Sequence, residues 1–259
     1  MSITLFSPAK INLNFKLISK REDGYHLIES EMVAVNLFDK LHIEPHTLNI
    51  LDGTKPLPFH FEESIFQKGY LLLKKKFPDL PPIKITLDKK IPIGAGLGGG
   101  SSNLASFLWG MNRLFDLKIM PQELVDLGAM CGADVPFFFS NGSAFVDGIG
   151  TNVQKTSYNP RPFTLFLVEH KISTPKVYGA VDLALIDVEA INQLEKFAVM
   201  AYPDFQSKID EIRGAFPRSF MSGSGSTFVV EGHVTVPPQL GPHFHAYTIE
   251  RCSNTWYQN

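Results

Sequence analysis

Gly94-Ala95-Gly96-Leu97-Gly98-Gly99-Gly100 places five glycines in seven residues. They lie directly before a segment whose apolar residues Leu104, Phe107, Leu108, Met111, Leu114 and Phe115 recur at helical spacing. Repeated glycine weakens any regular element, so such a run persists where bare backbone is needed. One such need is a phosphate. Glycines let the chain curl around phosphate oxygens with N–H groups turned inward, and the start of the following helix adds about half a positive charge. Ser101 and Ser102 stand at the expected helix N-cap, where their hydroxyls could bond phosphate or hold Mg²⁺. The competing reading is a flexible connector with no ligand.

Several phosphate-binding loops are separable by spacing. A Walker loop requires lysine after its second glycine, but Gly99 is followed by Gly100. Gly94, Gly96 and Gly99 satisfy GxGxxG, and Asp116 lies about twenty residues further on, as a dinucleotide site would require. Asp116, however, ends a helical pattern and not a second strand. No HRD or DFG sequence accompanies the loop, which excludes a protein kinase.

The surroundings narrow the class of protein. The 259 residues carry 24 Lys+Arg against 26 Asp+Glu, too balanced to attract a polyanion, so no nucleic-acid partner is expected. Cys131 and Cys252 are too few for a disulfide framework and have no zinc-ligand spacing. The strongly apolar runs, 135–139 and 163–168, are far shorter than a membrane helix. With no leader pattern at Met1–Pro8, the expectation is a soluble cytoplasmic protein.

Ala9, Ile11, Leu13, Phe15 and Leu17 alternate with Lys10, Asn12, Asn14 and Lys16, which predicts a strand with one buried side. Lys10 and Asn12 share its polar face. Asp23-Gly24 marks a hairpin tip, placing Tyr25 and His26 just beyond it. Helical spacing recurs over Phe66–Phe77, ending in Lys74, Lys75 and Lys76, the ordinary charged last turn of a solvated helix. Further strands are expected at 41–44, 83–87, 164–168, 227–230 and 246–250, with helices at 121–128 and across 175–216. The polar stretch 152–162, with two prolines and no periodicity, is the best domain boundary. The unalternating mixture predicts α+β. Asp134 precedes Val135-Pro136-Phe137-Phe138-Phe139, where an ionised carboxylate must be paired, used, or simply turn the chain. His243 and His245 lack a third metal ligand and read as surface residues.

Pro92 and Gly96-Leu97-Gly98-Gly99-Gly100-Ser101-Ser102 resemble the ATP loop of the GHMP kinases. Pro8-Ala9-Lys10-Ile11-Asn12-Leu13, Arg21-Glu22-Asp23-Gly24-Tyr25-His26 and Gly132-Ala133-Asp134-Val135-Pro136 are similar to the branch that acts on 4-diphosphocytidyl-2-C-methylerythritol. Ser222-Gly223-Ser224-Gly225-Ser226 matches the family's C-terminal glycine motif, while Leu104 stands where the family usually carries alanine.

The resemblance implies a two-domain fold, ribosomal-S5-like over 1–152 and ferredoxin-like over 153–259. It implies phosphorylation of that substrate's 2-hydroxyl by ATP with Mg²⁺, with no membrane or obligate protein partner. The ATP site would comprise Pro92, Gly94, Gly96, Leu97, Gly98, Gly99, Gly100, Ser101 and Ser102. Lys10 and Asp134 would be catalytic, and Asn12, Tyr25, His26 and Tyr178 would bind substrate. No metal ligand is assigned. The alternatives are a mevalonate- or homoserine-type kinase, a non-catalytic nucleotide-binding regulator and, last, a dinucleotide-dependent oxidoreductase.

Overall fold

The structure, a computed structural model, describes residues 1–168, 170–252 and 254–258. The first sheet is built around one long strand. After β1 (Ile3–Asn12) and β2 (Lys16–Lys20), the chain turns at Gly24 into β3 (His26–Pro45), 20 residues long. Along one edge β3 pairs antiparallel with β2 and β1, in a register running from Ile3↔Ile43 to Asn12↔Met32. Next come β4 (Ile50–Gly53), helix α1 (Ile65–Lys76), β5 (Ile83–Asp88), helices α2 (Gly99–Leu114) and α3 (Pro121–Ala129), and then β6 (Ser143–Asp147) and β7 (Asn152–Lys155). The second edge of β3 takes β5 and β6, with β4 parallel beside β5 and β7 outside β6.

The helical spacing identified in the sequence buries one face of α2. Leu104, Phe107, Leu108 and Met111 are fully buried and lie against β1, β3 and α1. Gly69 on α1 makes room for the large Leu104 side chain, since a Cβ there would lie 2.6 Å from Leu104 Cδ1. Of the lysines ending α1, Lys74 donates to the Leu80 carbonyl just beyond the helix, and Lys76 pairs at the surface with Glu123 in the first turn of α3.

The second sheet has the order β11 (His243–Tyr247), β8 (Pro162–Phe166), β10 (Phe228–Glu231), β9 (Phe220–Met221), all antiparallel. Helices α4 (Thr174–Gly179), α5 (Glu195–Ala201) and α6 (Phe205–Ala215) fall between β8 and β9 in the chain. Period-two alternation sorts the side chains of β8. Phe163 and Leu165, with Val229 and Ala246, pack against Ala9, Ile11, Val33, Val35 and Leu37 of the first sheet. Phe166 faces the helices, its ring 5.3 Å from that of Phe216.

Three local expectations are corrected. First, β1 is buried on both faces: Ala9 and Ile11 meet the second sheet, while Lys10 and Asn12 are only 3% and 1% exposed. Secondly, α2 begins at Gly99, not beyond the serines. Gly98, at φ 66°, is its N-cap residue, and Ser101 and Ser102 lie in its first turn. Thirdly, β11 ends at Tyr247 because the chain then crosses to the first sheet, where Ile249 N–H donates to Ala34 O at 3.0 Å. The tail continues to α2, where buried Trp256 donates from Nε1 to Ser106 Oγ at 2.9 Å.

The interface between the sheets predicts a whole-molecule effect. Leu165→Ala, at a fully buried site, should lower unfolding stability by about 2–5 kcal/mol. Urea denaturation monitored by circular dichroism measures this.

Candidate active site

The glycine run is held from both sides. Lys10 N–H on β1 donates to Leu97 O at 2.9 Å, and Thr227 N–H donates to Ala95 O at 3.2 Å. The buried Ser222 hydroxyl accepts from Asn12 N–H and donates to Gly96 O, each at 3.2 Å. This crowding explains two glycines without any ligand. At Gly96 (φ 73°) a Cβ would lie 2.1 Å from Ser222 O, and at Gly98 2.8 Å from Lys10 Cγ. The bare backbone is therefore required first by the protein itself. Gly100 has open space where its Cβ would be.

A cavity of about 460 Å³ opens beside this loop, within the range of small-molecule sites. Residues 92–101 form one wall, so the start of the 16-residue helix α2 borders the cavity with its unpaired N–H groups and positive dipole end. Lys10 and Asp134 line the same cavity, as do Tyr178 and Ser224 from the second half of the chain. Ser102 Oγ, in the first turn of α2, is buried with no hydrogen-bond partner among the described residues.

Lys10 and Asp134 meet. Lys10 Nζ lies 3.4 Å from Asp134 Oδ2 and donates to Asn12 Oδ1 at 2.5 Å. The lysine side chain is 4% exposed and the aspartate side chain 32%. The ammonium is thus buried and aimed, while the carboxylate remains open toward the cavity. Asn12 is fixed in turn, its Nδ2 donating to Ser30 Oγ at 2.7 Å, and Ser30 donating to Asn14 O at 2.6 Å.

The hairpin tip separates its two aromatic residues. His26 is buried, with its ring 5.5 Å from that of Tyr178. Tyr25 is 60% exposed. His26 Nε2 is buried with no hydrogen-bond partner among the described residues. Desolvation, followed by the nearby Lys20 charge, holds the His26 pKa below its ordinary value. Burial, reinforced by the charge of Asp134, pushes the Tyr178 hydroxyl well above the usual tyrosine range, so it stays protonated. Of the sequence candidates, the structure gathers Lys10, Asp134, Pro92, Gly94, Gly96, Leu97, Gly98, Gly99, Gly100, Ser101 and Tyr178 around one cavity. Asn12 stands behind Lys10, His26 stands against Tyr178, and Tyr25 faces solvent.

Geometry removes the dinucleotide alternative. Asp116 lies beyond the far end of α2, roughly 24 Å from the glycines by helix rise, where it pairs with Lys118. His243 and His245 lie on the edge strand of the second sheet, and among the described residues no cluster of three or more His, Cys, Asp or Glu could hold a metal.

Lys89 and Asn103 also line the cavity and were missed in the sequence. Burial lowers the pKa of Lys89, while its contact with Asp39 opposes the shift. A signal for this group was present, since Asp39 directly follows the apolar pair Leu37-Phe38 in a mostly apolar segment, and a buried carboxylate requires partners.

A glycine loop at a helix start, facing an aspartate paired with a buried lysine, can position a phosphoryl donor opposite an acceptor hydroxyl. The fold and site are those of a GHMP-type small-molecule kinase, and residues 64–142 match the family described as GHMP kinases N terminal domain. The chain is 36% identical over 272 aligned residues to the 4-diphosphocytidyl-2-C-methyl-D-erythritol kinase of Protochlamydia amoebophila (strain UWE25), covering 99% of this chain and 93% of that protein. It therefore belongs to the 4-diphosphocytidyl-2-C-methyl-D-erythritol kinase family. A crystal structure of a 4-(cytidine 5'-diphospho)-2C-methyl-D-erythritol kinase superposes with a TM-score of 0.75 at 28% identity, covering 95% of this chain and 99% of that one. Homoserine kinase from Cytophaga hutchinsonii shares the fold, with a TM-score of 0.68 at 16% identity over 97% of this chain and 96% of its own.

The His26 environment sets a pH dependence. A histidine whose pKa is lower folded than unfolded binds fewer protons in the native state, so its contribution to stability falls with pH below the unfolded pKa of about 6.5. Wild-type protein should lose more melting temperature between pH 7 and pH 5 than His26→Gln. Parallel Tm-against-pH curves would contradict this environment.

Proposed function

We propose that this kinase transfers the γ-phosphoryl group of ATP to the 2-hydroxyl of 4-diphosphocytidyl-2-C-methyl-D-erythritol, a step of the non-mevalonate route to isoprenoid precursors. The observation that carries the choice of acceptor is His26. Its Nε2 is buried with no partner among the described residues, beneath the Tyr178 ring and near the cavity that holds the Lys10–Asp134 pair. A buried polar atom of this kind calls for a ligand to complete it, and the hydrogen-bonding edge of a cytosine does so, with Tyr178 offering its ring face. Tyr25, exposed at the hairpin tip, covers the base from solvent.

The reaction follows from the same placement. The glycine-loop N–H groups and the α2 dipole hold the triphosphate. Asp134 orients the acceptor hydroxyl and takes its proton as the oxygen attacks the γ-phosphorus and the bond to the ADP oxygen breaks. Lys10, 3.4 Å from Asp134 Oδ2, orients that carboxylate and stabilises negative charge developing on the hydroxyl oxygen. Mg²⁺, when bound, would neutralise phosphate charge, and the Ser101 hydroxyl at the cavity wall would be its protein contact. Asn12 fixes Lys10 and reaches toward the substrate. The ATP-binding and catalytic unit is the first sheet through β7 at Lys155, with its helices and the tail residues Ile249 and Trp256 that bond to it, and the second sheet with its helices is the unit supplying Tyr178. The enzyme works in the cytoplasm on a small molecule, without nucleic acid, membrane or obligate protein partner.

ADP release from Mg-ATP should occur with 4-diphosphocytidyl-2-C-methyl-D-erythritol and not with mevalonate or homoserine. Release with another alcohol would keep the kinase and reject this acceptor. Asp134→Ala should reduce turnover by roughly 10²–10⁴-fold while ATP still binds; near-normal turnover would remove Asp134 from its role.

A further inference from the structure

The carboxylate of Asp39 is fully buried in β3, at a position where the strand has left its pairing with β6 and is about to begin pairing with β5. It is not among the residues lining the cavity. Its two oxygens accept four hydrogen bonds. Oδ1 takes the backbone N–H of Lys90 at 2.7 Å and of Ile91 at 2.8 Å. Oδ2 takes Lys89 Nζ at 2.6 Å and Asn103 Nδ2 at 2.9 Å. These partners bracket the glycine loop: 89–91 lead into it, and Asn103 lies on α2 just after it. One carboxylate therefore ties together the two ends of the segment 92–102.

The tie also places a charge. Lys89 Nζ, held by Asp39 and by Ile91 O at 2.5 Å, lies 3.0 Å from where a Gly99 Cβ would be. Without Asp39 this ammonium would have one carbonyl for company and freedom to rotate. The two loop ends would be joined only by the packing of Ile91 and α2. Loop N–H groups bind phosphate well only when they are pre-aimed, because any ordering left to the moment of binding is subtracted from affinity.

We propose that Asp39 is a positioning residue for the nucleotide: its carboxylate sets the spacing of the two ends of the glycine loop and the direction of Lys89, and thereby ATP affinity. This rests on the kinase reading above. It assigns Asp39 no contact with ATP and no part in handling the acceptor, whose proposed contacts are His26, Tyr178 and the Lys10–Asp134 pair.

Asp39→Asn separates this role from a purely structural one. The amide oxygen can still accept from the Lys90 and Ile91 N–H groups, but its NH₂ faces two donors, so the Lys89 and Asn103 arms are lost. The KM for ATP should rise about tenfold, in line with loss of charge-assisted hydrogen bonds, while the KM for the acceptor stays within about twofold. Asn103→Ala, which removes one arm and leaves the buried ion pair, should move the KM for ATP in the same direction by about threefold. The double variant should add little to Asp39→Asn alone.

Calorimetric titration with Mg-ADP should show the same weakening without any turnover. That titration decides the proposal even if the wild-type enzyme phosphorylates none of the alcohols offered, an outcome that would count against the acceptor assignment alone. If Asp39→Asn does not fold, Asn103→Ala decides. Unchanged KM for ATP in the folded variants, equal rises in both KM values, or a lowered Tm with wild-type Mg-ADP affinity would each overturn the role.

Discussion

The hydroxyl of Ser222 joins three parts of the chain that are far apart in sequence. It accepts from the backbone of Asn12 on β1 and donates to the Gly96 carbonyl, while its own backbone N–H reaches Thr227 O at 2.9 Å within the serine-glycine turn. It is fully buried, so each bond is made in a low-dielectric setting, where leaving one unmade would be costly. Strand, phosphate loop and second sheet are consequently fixed in one register. Gly96 is the counterpart of that contact, because any side chain there would displace the Ser222 carbonyl. The C-terminal serine-glycine motif thus acts here as the back wall that the glycine loop is pressed against.

Burial of both faces of β1 follows from the same arrangement. Ala9 and Ile11 fill the seam between the sheets, which forces Lys10 and Asn12 inward on the other side. A lysine there requires compensation. Asn12, Asp134 and the open cavity supply it, and Asn12 is itself tied to Ser30 on β3. Hydrophobic packing on one face of the strand therefore aims the polar groups of the other, and neither face could change without disturbing its counterpart.

What could be read from the sequence was whatever rests on local pattern. The α2 stripe, the 121–129 helix announced by Pro121, the hairpin at Asp23-Gly24 and the amphipathic 65–76 segment are near-neighbour regularities, and the structure carries all of them. The start of α2 was misjudged because serine is the commoner cap, whereas here a left-handed Gly98 takes that place. The solvated face expected for Lys10 failed for a different reason. Alternation shows that two faces differ, but not that the polar one is exposed, and segments distant in sequence, the loop at Gly98, Asp134 and the turn at Ser222–Gly223, bury it. Lys10 and Asp134 became a pair in the sequence only through the family resemblance. Asp39 was visible as an acid in a mostly apolar segment, but its partners at 89–91 and 103 could not be assigned without the fold.

Two lysines stand at one cavity, Lys10 buried and Lys89 partly buried, and their surroundings differ. Lys89 faces a carboxylate with no exposed surface and a backbone carbonyl, so its charge is matched within the protein and its position is fixed. Lys10 faces a carboxylate that is one-third exposed and an amide oxygen, at 3.4 Å and 2.5 Å. Its compensation is looser on the side that opens to the cavity. A triphosphate and an acceptor hydroxyl arriving together bring negative charge close to Asp134, and a carboxylate left alone there would repel it. Lys10, 3.4 Å from that carboxylate, offsets the repulsion, and the compensation strengthens as water leaves and the local dielectric falls. On the proposed mechanism, the cation placed to respond to the reaction is the one the fold leaves incompletely paired, and the cation proposed to frame the loop is the one it neutralises in advance.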